Sequence, residues 1–215
     1  MRNIQLNDIE AFSRQQLYNE KSGHDWFHIE RVRKNALLLL EGETGANSAV
    51  IEAAALLHEA FDTKLDVHRR STSGEIFNLL TACGFSAGEG TDILHIIENL
   101  SFKGGRERPS LSFEGEIVQD ADRLDALGAI GIARAFTYSG WKGQDLFDPE
   151  LKVREEMSER EYREGESTAI NHFYEKLLKL PALMNTDRGR KIAQSRVKVM
   201  ENFLDEFFLE WKGIK

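Results

Sequence analysis

Apolar side chains recur at steps of three and four residues along most of the chain, the spacing of one face of an α-helix. One such stripe of apolar residues runs from Ile170 to Leu178 and should end near Pro181, because proline interrupts helical hydrogen bonding. The stripe nearest the C-terminus comprises Ala193, Val197, Met200, Leu204, Phe207, Phe208 and Trp211. No segment shows the sustained apolar/polar alternation that predicts a β-strand. The pattern predicts an all-α fold.

Turn signals divide the earlier part of the chain into further helices. Residues 25–41 form one predicted helix, which should end in a left-handed cap at Gly42. Residues 46–60 form another, and their apolar composition predicts a buried element. Ser86 and Glu89 have the spacing of a capping box at a helix start. The remaining predictions are helices at 86–100, 113–127 and 130–138 and loops at 104–109 and 140–149.

The bulk properties fit one globular domain over residues 1–215. Hydrophobic residues make up 41% and charged residues 30% of the sequence, which is ordinary for a folded protein. A chain of this size hides roughly 70% of its unfolded surface, enough for a proper core. No internal repeat, low-complexity tract or linker separates two predicted cores.

The net charge is 28 − 36 = −8. Such an acidic chain argues against a nucleic-acid-binding or membrane-surface protein, because both need a positive surface. It is compatible with a small anionic substrate. Cys83 is the single cysteine, so no internal disulfide can form, and the sequence shows no signal peptide or transmembrane span. We therefore expect a cytoplasmic protein.

Three segments carry side chains suited to metal chemistry. His24 and His28 lie near the start of the helix predicted over residues 25–41. His58 and Glu59 directly follow five apolar residues, so they lie where the chain should enter the core. An acidic run occupies residues 118–126. A buried carboxylate without a partner is costly, and a cation is the common remedy.

The acidic run has two interpretations at this point. Asp120 and Asp122 follow an apolar pair and precede Leu124, within a helix that must bury one face. Neighbouring buried acids repel each other unless something positive lies between them, and Arg123 could neutralise only one. The alternative, a set of solvated acids on an exposed helix face, remains open.

Taken in order, these segments resemble the signature of HD-superfamily phosphohydrolases. The elements are a histidine before Arg-Val, an apolar run ending in His-acid, and an Asp-Ala-Asp-Arg-Leu-Asp helix. The resemblance covers about residues 20–140 and is strongest over residues 119–136, which resemble a small bacterial branch with members that hydrolyse nucleoside triphosphates. It implies a single-domain helical bundle of the HD type, with a motif-bearing core and C-terminal helices at about 150–212 packing on it.

The resemblance also implies a set of metal ligands. They are His28, His58, Glu59 and Asp122. The family pattern has aspartate where this chain has Glu59, which keeps the charge and the oxygen donors but extends the side chain by one methylene. Two imidazoles and two carboxylates suit one divalent transition metal ion, Mn²⁺ or else Fe²⁺, Co²⁺, Ni²⁺ or Zn²⁺. A second ion, held by His68 or His95, is disfavoured because neither fits a recognisable motif.

One geometric condition follows from the ligand set. Neighbouring residues on an α-helix point about 100° apart, so His58 and Glu59 can face one ion only near a helix end. Ligands from separate helices can close around such a point in a bundle core.

The resemblance implies hydrolysis by water that the ion activates. Asp62, three places after Glu59, is the candidate for orienting or deprotonating this water, and the alternative is that it only pairs with Lys64. Candidates for binding substrate phosphate are His24, Lys64, Lys103 and Arg106. His24 could instead hydrogen-bond a metal ligand from behind.

The expected function is an enzyme, a (deoxy)nucleoside triphosphate pyrophosphohydrolase, since the match over residues 119–136 favours that reaction. The alternatives are a 5′-nucleotidase acting on monophosphates and a catalytically silent nucleotide-binding or regulatory domain, which Glu59 keeps open. A cyclic-dinucleotide phosphodiesterase is disfavoured because its second motif is missing. The expected partner is a small phosphorylated substrate, without nucleic acid or membrane, and the chain is expected to be a monomer or a homodimer.

Overall fold

Every regular element in the described part of the chain is helical, as the apolar spacing predicts. The computed structural model describes residues 4–18, 20–61, 71–100, 109–155, 157, 160–161 and 165–215, and no strand occurs within these ranges. The elements are α1 (Leu6–Gln16), α2 (Trp26–Leu40), α3 (Ser48–Leu57), α4 (Ser73–Ala82), α5 (Ala87–Asn99), α6 (Phe113–Asp125), α7 (Gly128–Lys142), α8 (Ala169–Glu175), a 3₁₀ helix (Leu177–Leu183) and α9 (Asp187–Trp211). The all-α prediction is confirmed.

The chain divides into two compact units, Met1–Ala121 and Asp122–Lys215. The first contains α1 to α5 and most of α6, and the second contains the end of α6 together with α7 to α9. Each unit has its own set of fully buried apolar side chains. One domain over residues 1–215 stays a prediction.

Helix α3 is the centre of the first unit and packs against α1, α2 and α5. Its buried side chains include three consecutive alanines, Ala53, Ala54 and Ala55, whose small size lets the neighbouring helices approach closely. The Ser13 hydroxyl on α1 donates a hydrogen bond of 2.7 Å to the Leu56 carbonyl. The last turn of α3 is therefore held in a buried position.

An ion-pair network joins α1, α2 and α3 on their more exposed side. Arg33 of α2 donates from Nε to Glu52 of α3 at 2.8 Å and from Nη1 to Glu10 of α1 at 3.2 Å. Because one guanidinium serves both acids, the network fixes the rotation of α2 relative to α3 more firmly than a single surface pair would.

The predicted helix starts are marked by side-chain caps. The carboxylate of Asp25 accepts a hydrogen bond from the backbone N–H of His28 at 2.9 Å, which caps α2. Ser86 and Glu89 form both halves of the predicted capping box at the start of α5. Gly42, just after α2, has a φ of +88°, as a left-handed helix end requires.

Several predicted boundaries were wrong. α3 ends at Leu57 and not at residue 60, so His58 and Glu59 lie in the following turn. α7 runs on to Lys142, although the sequence predicted a loop from residue 140. A glycine inside a helix costs only about 1 kcal/mol, and the left-handed cap is provided by Gly143, whose φ is +70°.

The stripe from Ile170 to Leu178 does not form one helix. It is divided between α8 and the 3₁₀ helix, which continues through Pro181. The break lies at Lys176, whose φ of −135° and ψ of −59° leave the helical region. Helices α1 and α4 were not predicted from the apolar spacing.

In the second unit, α9 packs against α7 and the 3₁₀ helix. The predicted stripe lies on this one helix, and Met200 and Leu204 are buried. Phe203 stacks on the buried Phe173 of α8 with ring centroids 5.8 Å apart. Near the helix end, Phe147 contacts the ring of Trp211 at 5.1 Å. The aromatic end of α9 therefore packs at least partly within its own unit.

No helix among the described residues is long and apolar enough to span a bilayer.

A buried ion pair anchors the segment before α8. Arg154 donates from Nε and Nη2 to the two carboxylate oxygens of Glu175, at 2.8 and 2.7 Å, and Ser167 donates to the same carboxylate at 2.9 Å. Burial alone would raise the pKa of Glu175, but the hydrogen bonds from Arg154 and Ser167 and the charge of Arg154 hold this pKa below its ordinary value. The unfolded chain lacks these partners.

We expect Glu175→Gln to lower the free energy of unfolding at pH 7 by about 2 kcal/mol, as loss of hydrogen bonds to a charged group does. Because the pKa of Glu175 is lower in the folded state, its contribution is complete above the unfolded pKa of about 4.3 and is lost as the pH falls below it. Thermal melts of both proteins should therefore converge as the pH falls through the lowered folded-state pKa of Glu175. Glu201→Gln, on an exposed position of α9, is the control. A constant difference down to pH 3 would contradict this account.

Candidate metal centre

His28 lies in the first turn of α2 and its side chain is completely buried. The Asp25 cap accepts from the backbone N–H of His28 itself, so it fixes the backbone from which the imidazole projects. Helix packing alone would orient the α2 axis but would not set its first turn, which frays readily without a cap.

His58 and Glu59 lie in the turn that follows α3. His58 is the C-cap residue, with φ −63° and ψ −21°, and the N–H of Ala60 bonds to the Leu57 carbonyl at 2.9 Å. Both residues therefore lie at the end of α3, which is where the side chains of two neighbouring residues can face one point.

One hydrogen bond sets the protonation of the His58 ring. Nδ1 of His58 lies 2.8 Å from the carbonyl oxygen of Ala55, one of the last-turn carbonyls that has no partner within the helix. A carbonyl can only accept, so Nδ1 carries the proton and donates it. The Nε2 atom of a neutral His58 then presents a lone pair, which is the form that binds a metal ion.

Two imidazole nitrogens and one carboxylate oxygen converge on a single point. Nε2 of His28 and Nε2 of His58 lie 3.0 Å apart. Oε1 of Glu59 lies 3.4 Å from the first nitrogen and 3.6 Å from the second. All three side chains are at least nine-tenths buried.

These separations fit the donors of one first-row divalent ion. Ligand atoms about 2.1 Å from an ion lie roughly 3.0 Å apart at a right angle and about 3.4 Å apart in a tetrahedron. Nitrogen donors and a carboxylate oxygen suit Mn²⁺, Fe²⁺, Co²⁺, Ni²⁺ or Zn²⁺. His28, His58 and Glu59 therefore have the donor chemistry and the spacing for such an ion.

His24 belongs to the same cluster in a different role. Its Nδ1 lies 2.7 Å from Oε1 of Glu59, which is a hydrogen-bond distance and shorter than the roughly 3.0 Å expected for two ligands at a right angle around one ion. The sequence placed His24 among phosphate-binding residues, with a hydrogen bond to a metal ligand as the alternative, and the structure brings it to the carboxylate of Glu59. His24, His28 and Glu59 together form a group that could hold a cation.

The electrostatics of the cluster keep Glu59 ionised. Burial would raise the pKa of this carboxyl, but the charge and hydrogen bond of His24 and the neighbouring His28 and His58 together hold the pKa well below its usual range. Glu59 is therefore an acceptor, a requirement for both the hydrogen bond and metal ligation.

The acidic run is only partly exposed. Asp120 is fully buried and Asp125 is nearly so, which rules out the interpretation of a wholly solvated acidic face. Asp125 forms an ion pair of 3.1 Å with Arg134, a partner that the sequence did not indicate. Asp122 is half-buried and begins the second unit. Its assignment as the fourth ligand stays a prediction.

Four of the predicted residues lie outside the part of the chain that the structure describes. They are Asp62, Lys64, Lys103 and Arg106. Their assignments to water activation and phosphate binding stay predictions. Conversely, sequence reasoning missed the role of Asp25. An aspartate directly before a helix is a common cap, and Asp25 accepts a hydrogen bond from the backbone N–H of His28.

Known proteins resemble the whole chain. The uncharacterized Bacillus subtilis protein YpgQ is 37% identical over 212 residues, which cover 98% of this chain and 95% of YpgQ. A crystal structure of YpgQ in complex with ADP has a TM-score of 0.76, is 35% identical and covers 94% of this chain and 92% of that one. The sequence matches no protein-family model.

Two further crystal structures have the same fold. A protein from Lactobacillus plantarum has a TM-score of 0.86 and 43% identity and covers 97% of each chain. An HD-superfamily hydrolase from Bacillus thuringiensis has a TM-score of 0.72 and 40% identity and covers 96% of each chain.

Metal binding should stabilise the fold. We expect Mn²⁺ at a hundred times its dissociation constant to raise the free energy of unfolding by about 2.7 kcal/mol, because the ion binds the folded cluster and not the dispersed side chains of the unfolded chain. Differential scanning calorimetry should show the increase in Tm, and EDTA should reverse it. His28→Gln should abolish the increase, whereas His172→Gln, in the second unit, should retain it. An equal increase in all three proteins would place the ion elsewhere.

Proposed function

Because this chain belongs to the HD superfamily of hydrolases, we propose that it is a metal-dependent phosphohydrolase that cleaves nucleoside triphosphates to monophosphate and pyrophosphate. The observation that carries the proposal is the convergence of His28 Nε2, His58 Nε2 and Glu59 Oε1 at separations of 3.0 to 3.6 Å. Two imidazole nitrogens and a carboxylate oxygen that are buried so close together can serve as ligands of a cation, which would offset the cost of burying these polar atoms.

In the proposed enzyme, His28, His58 and Glu59 hold one divalent ion together with Asp122. Such an ion, when bound, supplies a Lewis acid that activates water and polarises a phosphoryl oxygen. The protein holds the donors in place through the Asp25 cap, the His58–Ala55 hydrogen bond and the His24–Glu59 hydrogen bond.

The remaining steps are assigned to Asp62, whose place the family resemblance implies, and to basic residues chosen from the sequence itself. Asp62 would accept the proton of the attacking water, and Lys64, Lys103 and Arg106 would bind the phosphate oxygens. Positive side chains at these places would attract a polyanionic substrate locally, although the net charge of the whole chain is −8. Water adds to the α-phosphorus and loses its proton to Asp62, the bond from that phosphorus to the bridging oxygen breaks, and pyrophosphate leaves.

The nucleotide assignment draws support from YpgQ, whose crystal structure contains ADP. A site that accepts a nucleoside diphosphate has room for more than one phosphate group, and this favours a triphosphate over a monophosphate as the substrate. The likeness of residues 119–136 to a branch with triphosphate-hydrolysing members points the same way.

Glu59 favours the alternative of a catalytically silent nucleotide-binding domain, since the family pattern has aspartate there. Against this alternative, the longer side chain still brings Oε1 to within 3.6 Å of both imidazole nitrogens. The departure from the pattern therefore leaves the donor atom in a usable place.

The reaction can be identified by incubating the protein with Mn²⁺ and nucleoside mono-, di- and triphosphates and analysing the products by ³¹P NMR. We expect pyrophosphate and a monophosphate from triphosphates, no turnover of monophosphates, and loss of all activity with EDTA. Orthophosphate released from monophosphates would instead identify a 5′-nucleotidase. Tight nucleotide binding without any turnover would identify a silent domain.

Asp122→Ala should remove the fourth ligand. Outer partners of metal ligands typically contribute 10- to 100-fold to metal affinity or activity, so loss of a ligand should cost at least about a hundredfold in kcat/KM. Metal content, measured by mass spectrometry, should fall in parallel while the far-UV circular dichroism stays unchanged. Asp205→Ala, at an exposed position of α9, is the control. Full activity in the Asp122 variant would show that another acid completes the site.

A further inference from the structure

Glu59 is one methylene longer than the aspartate of the family pattern, and its side chain has one more torsion to hold. A carboxylate on such a side chain can bind an ion well only if something else restricts its rotamers. The structure shows which residue does this. Oε1 of Glu59, the atom that faces His28 and His58, is also the atom that His24 contacts.

We propose that His24 is a positioning residue, which holds the long Glu59 side chain so that its Oε1 stands at ligand distance from the imidazoles of His28 and His58. The proposal rests on the metal-binding part of the proposed function and assigns to His24 neither metal ligation nor phosphate binding.

The distances separate the two kinds of contact around this oxygen. Nε2 of His28 and Nε2 of His58 lie 3.4 and 3.6 Å from Oε1, which suits atoms that share an ion. Nδ1 of His24 lies 2.7 Å from the same oxygen, which suits a charge-assisted hydrogen bond. A carboxylate oxygen accepts, so Nδ1 of His24 donates in this contact. That nitrogen is therefore occupied and does not bind substrate phosphate.

The backbone on which His24 stands is itself held. The carboxylate of Glu20 accepts hydrogen bonds from the N–H groups of Ser22, at 2.8 Å, and His24, at 3.2 Å. Between them, Gly23 has a φ of +92°, a conformation that side-chain-bearing residues rarely adopt. The His24 ring then packs edge-on against His28 with centroids 5.5 Å apart. These contacts place Nδ1 before any metal binds.

The inference predicts that the importance of His24 depends on the length of the acid at position 59. A shorter aspartate has fewer rotamers, and its oxygens would lie nearer the backbone and farther from His24. Removing His24 should therefore weaken metal binding in the natural chain and have little effect on metal binding when residue 59 is aspartate. Such a difference is a testable coupling between the two residues.

The test is a double-mutant cycle on the full chain, with Mn²⁺ alone as the probe and free Mn²⁺ measured by electron paramagnetic resonance. The variants are His24→Phe, Glu59→Asp and the combination of both. We expect His24→Phe to weaken Mn²⁺ binding at least about tenfold when Glu59 is present and less than about twofold beside Glu59→Asp. His24→Asn, whose amide nitrogen takes nearly the place of Nδ1, should retain most of the affinity. His172→Phe is the matched histidine control, and thermal melts without metal check folding.

Equal weakening by His24→Phe in both backgrounds would overturn the inference, because His24 would then act independently of the Glu59 side chain. Unchanged Mn²⁺ affinity together with weakened ADP binding would also overturn it, in favour of a phosphate-binding His24. A natural chain that binds no Mn²⁺ would overturn the inference and the proposed function together. The expected cycle in a protein that hydrolyses no nucleotide would support the inference and reject the proposed function.

Discussion

The first unit depends on how it accommodates the buried charge of Glu59. A carboxylate in this position is costly unless its oxygens are paired, and it would otherwise become protonated. The protein surrounds it with three imidazoles from two segments of the chain, so that the pKa of Glu59 is held well below its usual range. The apolar helix α3 delivers Glu59 to that place, and the packing of α1, α2 and α5 around α3 keeps it there.

The same arrangement leaves the imidazoles crowded. Nε2 of His28 and Nε2 of His58 lie 3.0 Å apart, and the Ala55 carbonyl already fixes the proton of His58 on its other nitrogen. At this distance the two nitrogens can share a proton in a hydrogen bond or bind one cation. In an enzyme, this local crowding is useful because the ligands need no rearrangement when an ion arrives, and rearrangement would weaken binding.

Much of the helix content could be predicted because helix signals are local. Each of these signals lies within four residues of sequence. The structure contains both the capping box of Ser86 and Glu89 and the left-handed helix end at Gly42. Helix α1 was missed because its N-cap residue, Gln5, makes no side-chain cap. Helix α4 was missed although Thr72 and Glu75 form a capping box, because the short helix that follows has only a narrow apolar face.

The site divides in the same way between local and distant information. The order of His28, His58, Glu59 and Asp122 along the chain pointed to a metal centre, because these residues match the ordered signature of HD-superfamily phosphohydrolases. The sequence could not show the contact between His24 and Glu59, since it depends on how residues 35 positions apart meet in space. That meeting requires the rotation of α2 against α3, which the hydrogen bond between Arg33 and Glu52 helps to fix.

Two features therefore position each proposed ligand in the first unit. One is a hydrogen bond with a local partner, and the other is the packing of the helices. Asp25 holds His28, the Ala55 carbonyl holds His58, and His24 holds Glu59. A defect in one local partner would misplace one donor while the helices stay packed, whereas a defect in the α2–α3 contact would misplace all three. Since ligand atoms must lie within a few tenths of an ångström of their places, helix packing alone is too coarse, and the local hydrogen bonds supply the remaining precision. This division explains how a chain can replace an aspartate by a longer glutamate at the centre of the site: the change alters one local partner and leaves the packing that brings the donors together untouched.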